Sequence, residues 1–394
     1  MLKREGSIEM SRIDSSFNSE KKTDATKNIM AVLLGINIFY QIFYNSSWRT
    51  EYVATYWKGI GYGLLFLMLL VTLLYFSFVK IRLSRIVYFS ILIILIILTV
   101  MNDNLSVALV PVFALSAYFL DFKKLIKSYL IATILAVSLV FFMSLIGVLP
   151  YRDSLTGYID LGFKNPNTTG FYIAIIAIEL LMVIYNNHKV LSLSYYVISV
   201  ILESYLFHDS TAVMMSIIFI FLFYVCKFRE SWLHSKVIFF ISALIPSFLA
   251  ISSFEIAKNY NYSPLYLQLN DILTNRAFLW HYYFVNYPPK LFMQSIDINT
   301  VGLSAVPGNG AFDGAYVSFL VYNGYILLGL FVGLLTLLIW RSLKYKQTLL
   351  FIFSVTVILS GFTEGLLFSA FQSPVIVIAT LIINQRWGET LNYE

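Results

Sequence analysis

Apolar runs of about 17 to 25 residues recur along the chain, each long enough to cross a hydrocarbon core of roughly 30 Å as a helix. They fall near 29 to 45, 59 to 79, 86 to 101, 105 to 120, 128 to 149, 170 to 185, 190 to 207, 212 to 226, 237 to 254, 316 to 338, 348 to 361 and 367 to 385. Polar residues gather in the turns between them. The pattern predicts an all-α fold, a polytopic membrane helix bundle of about 10 to 12 transmembrane helices. Residues 1–28 mix Lys and Arg with Glu, Asp and Ser, which predicts a disordered cytoplasmic tail without a cleaved signal. Residues 29–385 form the membrane domain and 386–394 a cytoplasmic C-terminal tail. Two segments stand outside the pattern, 150–169 and 255–315.

Composition agrees with the pattern: 59% of residues are hydrophobic and 12% charged, against about 25% charged in a soluble domain. The formal charge of +6 would hint at nucleic acid in a soluble chain, but here topology explains it. With the N-terminus inside, the cytoplasmic turns hold Lys80, Arg82, Arg85, Lys123, Lys124, Lys127, Lys189, Lys227, Arg229, Lys236, Arg341, Lys344 and Lys346, following the positive-inside rule. The single cysteine, Cys226, leaves no intrachain disulfide and no cysteine-based redox or zinc site. Neither a GxxxxGK[ST] loop nor an HExxH motif is present, which argues against an ATP-driven pump and leaves secondary transport open.

This topology leaves Arg49, Lys58, Arg152, Lys164, Lys258, Arg276 and Lys290 facing outward, against the general bias. Most of them cluster in the two long loops. In PYRDSLTGYIDLGFKNPNTTG, Pro150 to Gly170, Asn165 precedes Pro166 and is pushed out of the α region; it suits an N-cap, with Pro166 at the first helical position and Asn167 behind it. A helix start pointing outward beside Lys164 and Arg152 favours phosphate or pyrophosphate. An ordinary capped helix would account for Asn165 and Pro166, but not for the two cations.

Carboxylates within spans are rare in lipid and face a protein interior or a wet cavity. Glu179 is mid-helix in the sixth span, where a packing residue is the plainer reading. Glu203 lies near the outer end of the seventh, just before His208 and Asp209, so these three are candidates for proton transfer or substrate contact.

In the long loop, LYLQLNDILTNRAFLWHYYF carries Leu265, Leu269, Ile272, Leu279 and Tyr283 at helical spacing, which predicts one amphipathic interfacial helix. Arg276 and Trp280, four apart, share a face, with Tyr282 and Tyr283 at headgroup depth. An arginine in such a helix could simply snorkel to lipid phosphate. Pro288, Pro289, Pro307, Gly308 and Gly310 predict an irregular or re-entrant cover beyond it. Asp313 stands at the mouth of the tenth span as cap or base; His281 is the other candidate base.

GFKNPNTTG at 162–170, HDSTA at 208–212, LTNRAFLW at 273–280 and FDGAYVSFLVYNG at 312–324, with TEGLLF at 363–368 as a weaker piece, resemble the Wzy-type O-antigen and capsular polysaccharide polymerases, of the O-antigen ligase-like superfamily. The resemblance runs from about Tyr151 to Pro374. It implies a bacterial plasma-membrane enzyme that joins undecaprenyl-pyrophosphate-linked oligosaccharide repeat units on the outer face. It also implies membrane lipid, a flippase and a chain-length regulator as partners. Arg152 and Arg276 match the family's functional outer-loop arginines, and Lys164 and Asn165 lie in a matched stretch; Arg152, Lys164 and Arg276 are together expected to stabilise the pyrophosphate leaving group, and the resemblance implies that neither nucleotide nor metal is needed. Two departures stand out: nine residues, not ten, separate Arg152 from Gly162, and Asp313 occupies the position where ligases carry His. A ligase, or a secondary transporter or flippase of the lipid-linked unit, is the alternative; no repeat between halves supports the transporter.

Overall fold

The computed structural model describes residues 25–51, 55–78, 83–101, 105–154, 157–163, 165–185, 188–207, 209–229, 235–296 and 312–382. Helices α1 (Ala25–Tyr44), α2 (Thr55–Phe78), α3 (Leu83–Met101), α4 (Leu105–Ala117), α5 (Phe122–Leu145), α6 (Pro166–Ile184), α7 (Lys189–Tyr205), α8 (Ser210–Phe228) and α9 (Lys236–Asn259) come first. They are followed by α10 (Pro264–Ile272), α11 (Arg276–Asn286), α12 (Ala315–Lys344), α13 (Thr348–Ser360) and α14 (Val375–Leu381). Of these, α1, α5, α6, α8, α9 and α12 are long and apolar enough to cross a membrane, while α2, α3, α4 and α13 contain shorter apolar stretches. The chain is an all-α, multi-pass membrane protein.

Each of the first eleven expected spans falls on a helix. The twelfth takes another form: Gly365–Phe368 is a 3-10 turn, and α14 starts only after Pro374. Proline inside a helix begun at 367 would remove a donor and clash with the preceding turn. Both chain ends, 1–24 and 383–394, lie outside the described residues, whereas 25–28, expected in the tail, open α1.

Burial separates inner from lipid-facing helices. Consecutive residues of α6, Phe171 to Ile178, are all buried, as are Val375 to Leu381 of α14, so these elements are enclosed on every side. Phe66, Leu73 and Leu74 of α2 and Ile91, Ile94 and Ile97 of α3 are exposed, as a lipid-facing surface requires. Around the centre, α6 packs on α5, α7 and α8, while α12 packs on α9, α13 and α14.

Helix α12 is broken at Gly324, whose φ of 77° and ψ of 174° are not helical. The segment after α11 fills the break. Tyr325 and Ile326 donate their N–H groups to the carbonyls of Lys290 and Leu291 at 3.0 and 3.1 Å, and Gln294 N–H donates to Tyr322 O at 3.1 Å. Gln294 Nε2 donates to Val321 O at 2.8 Å. The backbone groups freed by the kink are thereby satisfied. A Cβ on Gly324 would stand 2.6 Å from the carbonyl oxygens of Lys290 and Phe292, so only glycine fits. The expected cover is therefore, in its first part, a strap seated in a helix break; Pro307, Gly308 and Gly310 lie outside the described residues.

Candidate functional site

The single interfacial helix expected over 265–283 is two helices. Thr274 and Asn275 adopt left-handed conformations, φ 50° and 67°, which end α10 and start α11 one residue later. Asn270 stabilises the break from both sides: its Oδ1 accepts from Phe278 N–H at 2.8 Å and its Nδ2 donates to Asn275 Oδ1 at 2.9 Å. Asparagine tolerates the left-handed region better than most residues, so Asn275 marks the corner. As a result Arg276 becomes the first residue of α11. The face carrying Arg276, Trp280 and Tyr283 is buried in protein, so Tyr283 does not sit among headgroups and Arg276 does not snorkel.

The Arg276 side chain is 9% exposed. Its Nη2 donates to Glu364 Oε1 at 2.7 Å and lies 3.6 Å from Asp313 Oδ2, and its Nη1 donates to Thr274 Oγ1. A cation at a helix N-terminus opposes the helix dipole, and the two carboxylates offset this. They are delivered by separate elements, Asp313 just before α12 and Glu364 in the turn after α13. The two deliveries are tied together, since Ala315 N–H donates to the Gly361 and Glu364 carbonyls at 2.9 and 3.0 Å. Trp280, fully buried, donates Nε1–H to Asp313 O at 2.6 Å and meets Phe362 edge-on at 5.4 Å.

A third carboxylate joins from α8. Asp209 caps that helix, accepting from Thr211 and Ala212 N–H at 2.9 and 3.1 Å. It lies against α6 so closely that a Cβ on Gly170 would stand 2.5 Å from Asp209 Oδ2. The starts of α8, α11 and α12 and the turn after α13 thus gather round one arginine, with α6 packed against Asp209. Burial pushes the Glu364 carboxyl up to about 8; the Asp313 and Asp209 charges add to this, and Arg276 and the Thr211 hydroxyl oppose it. Burial likewise raises Asp209 to about 6 despite its capping bonds and Arg276, and raises Asp313, again against Arg276. Like charges this close cannot all be ionised cheaply. Among the described residues no three His, Cys, Asp or Glu side chains are arranged to hold a metal ion; the cation among these carboxylates is Arg276.

The other expected residues divide. Asn165 caps α6, accepting from Asn167 N–H at 2.9 Å, with Pro166 first in the helix. Arg152 is exposed and bonds within its own loop, Nη1 donating to Gly157 O at 3.0 Å beside the Arg152–Ile159 bridge. That loop is anchored to the start of α6 by Thr169 Oγ1 donating to Asp160 O at 2.6 Å. His281 Nδ1 lies 2.8 Å from Ala257 O and its ring is 5.7 Å from that of Tyr260, so it serves the packing of α11 on α9. Glu203 is fully buried, with the Ser216 and Ser199 side chains facing its carboxyl; its main-chain carbonyl accepts from Asp209 N–H at 3.1 Å. Lys164 and His208 lie outside the described residues.

Sequence reasoning gave no role to Glu364. Its signal was a carboxylate between two apolar runs, in the TEGLLF stretch that entered only as a resemblance. No family model, no curated protein and no solved structure matches the chain.

Proposed function

We propose that the chain is a polysaccharide polymerase of the plasma membrane of a bacterium, with about twelve spans and both ends cytoplasmic. It joins polyprenyl-pyrophosphate-linked oligosaccharide repeat units on the outer face. The observation that carries this reading is the buried Arg276 held between Glu364 and Asp313, where the ends of several spanning helices meet the largest loop. Buried ion pairs of this kind in a membrane protein mark functional sites more often than stabilising ones.

In the transfer, the acceptor hydroxyl oxygen forms a bond to the anomeric carbon of the growing chain. The bond from that carbon to the pyrophosphate oxygen breaks, and its electron pair leaves with the polyprenyl pyrophosphate. The hydroxyl proton passes to a carboxylate, for which Asp313, with 29% of its side chain exposed, is the accessible member of the pair. Arg152 and Lys164, in the loop that precedes α6 in the sequence, are the cations assigned to the leaving pyrophosphate.

A second reading, transport of the lipid-linked unit, is favoured by Glu179, fully buried in α6 with both carboxylate oxygens unpartnered, and by Glu203, fully buried in α7, since intramembrane carboxylates commonly serve ion pathways. Sizing the glycans of a strain lacking the gene separates the readings. A polymerase defect leaves single repeat units exposed on the outer face. A transporter defect leaves them unexposed, and loss of a ligase leaves long chains on their lipid carrier.

A further inference from the structure

The carboxylates that surround Arg276 bear on which half of the reaction occurs there. We infer that the Arg276 centre receives the hydroxyl-bearing, uncharged end of the incoming repeat unit, and that the pyrophosphate of the donor is held away from it. This rests on the glycosyl-transfer reading and deepens it.

Three observations carry the assignment. First, Arg276 has spent both terminal nitrogens on the protein: Nη1 on Thr274, and Nη2 on Glu364 at 2.7 Å with Asp313 at 3.6 Å. A pyrophosphate clamp uses two parallel N–H groups of the guanidinium, and here both terminal nitrogens already donate to protein groups. Second, Nε of Arg276 is buried and has no hydrogen-bond partner. A buried donor without an acceptor is rare in a finished site, and one N–H fits a single neutral oxygen such as a sugar hydroxyl. Third, Asp209, Asp313 and Glu364 all lie within electrostatic range of the one arginine. Asp209 and Asp313, where ionised, oppose a polyanion, whereas hydroxyl groups donate readily to carboxylates and to neutral carboxyl oxygens alike.

The two carboxylates on Nη2 then have different roles. Asp313 has 29% of its side chain exposed, against 8% for Glu364, so Asp313 is the catalytic residue that accepts the hydroxyl proton. Glu364 is a positioning residue: it supplies an acceptor oxygen that fixes the guanidinium. Its raised proton affinity, set against Arg276, Asp209, Asp313 and the Thr211 hydroxyl, suits that work, because a neutral carboxyl still accepts through its carbonyl oxygen. Phe312 and Phe362, each half-buried and one and two residues before these carboxylates, add apolar surface of the kind sugar faces pack on.

The test uses the full chain in lipid nanodiscs and farnesyl pyrophosphate as the anionic isoprenoid probe. Arg276→Gln should change its dissociation constant by less than about threefold, and Asp313→Asn likewise, although Arg276→Gln should lower polymer formation by at least about tenfold and Asp313→Asn by at least about 10²-fold. Loss of a direct charged hydrogen bond to the probe would weaken binding by roughly tenfold or more. Weakening of that size by Arg276→Gln, or tightening of that size by Asp313→Asn, overturns the assignment while leaving the transfer reading intact. No binding by the native protein removes both. Arg276→Lys, which keeps a cation between the carboxylates, guards against misfolding of the Gln variant and should show the same unaltered probe binding. Glu364→Gln should retain more turnover than Glu364→Leu; equal loss in the two contradicts the positioning role.

Discussion

Arg152 and Arg276 look alike in the sequence, both arginines in the long loops that the topology turns outward, yet their surroundings are opposite. Arg152 is exposed and bonds to a carbonyl five residues away in its own hairpin. Arg276 is buried and bonds across 88 residues to Glu364. The first could be removed without disturbing the bundle. The second ties the start of α11 to the start of α12 and to the turn after α13. An exposed arginine can turn to a mobile, highly charged ligand, whereas a buried one whose terminal nitrogens bond to protein holds its neighbours in register and keeps only Nε–H for a ligand. The two loops therefore differ in what they present, an exposed cation in the first and a fixed carboxylate pair round a buried one in the second.

The contrast can be broken by substitution, and Arg276→Ala should act most strongly. It leaves two buried carboxylates without their cation, a change that costs about 3–5 kcal/mol, so thermal unfolding in nanodiscs should move down sharply and long polysaccharide should vanish from cells. Gly170→Ala comes next. Its methyl group would force Asp209 out of its capping position, with an expected loss of about 0.5–2 kcal/mol, measurable in the same unfolding assay. A pH series sharpens the picture further. The folded protein keeps the Glu364 proton up to about pH 8, while the ordinary value is 4.5. Stability from this group is therefore fully present below about pH 4.5 and falls as pH rises toward 8. Glu364→Gln should flatten that decline; an unchanged slope would show that Glu364 does not carry it. Smallest of all, Arg152→Ala should shift stability by no more than about 0.5 kcal/mol, and a larger shift would mean that its hairpin is a structural brace.

Most of the scaffold was legible because lipid imposes a simple rule: long apolar runs become helices. Asn165 and Pro166 announced the start of α6, and the i, i+4 spacing of Arg276 and Trp280 announced a shared face. What the pattern did not disclose depends on local backbone chemistry and on contacts distant in sequence. The corner at Thr274 and Asn275 is set by Asn270, five residues back from Asn275, inside what read as one continuous amphipathic stretch. Pro374 was hidden in an apolar run that otherwise resembled a span. Glu364 could not be recognised as a partner of Arg276, because nothing in TEGLLF says which loop it faces.

The most direct test of the account is polymer formation by the purified chain in vesicles supplied with the lipid-linked repeat unit and no nucleotide, with products sized on a gel. The native protein should build a ladder of repeats. Asp313→Asn, while folded as judged by an unchanged elution profile, should build it at least about 10²-fold more slowly, the low end for loss of a general base. A full-rate ladder from Asp313→Asn would contradict the role given to the carboxylate pair, and the absence of any ladder from the native chain would contradict the function itself.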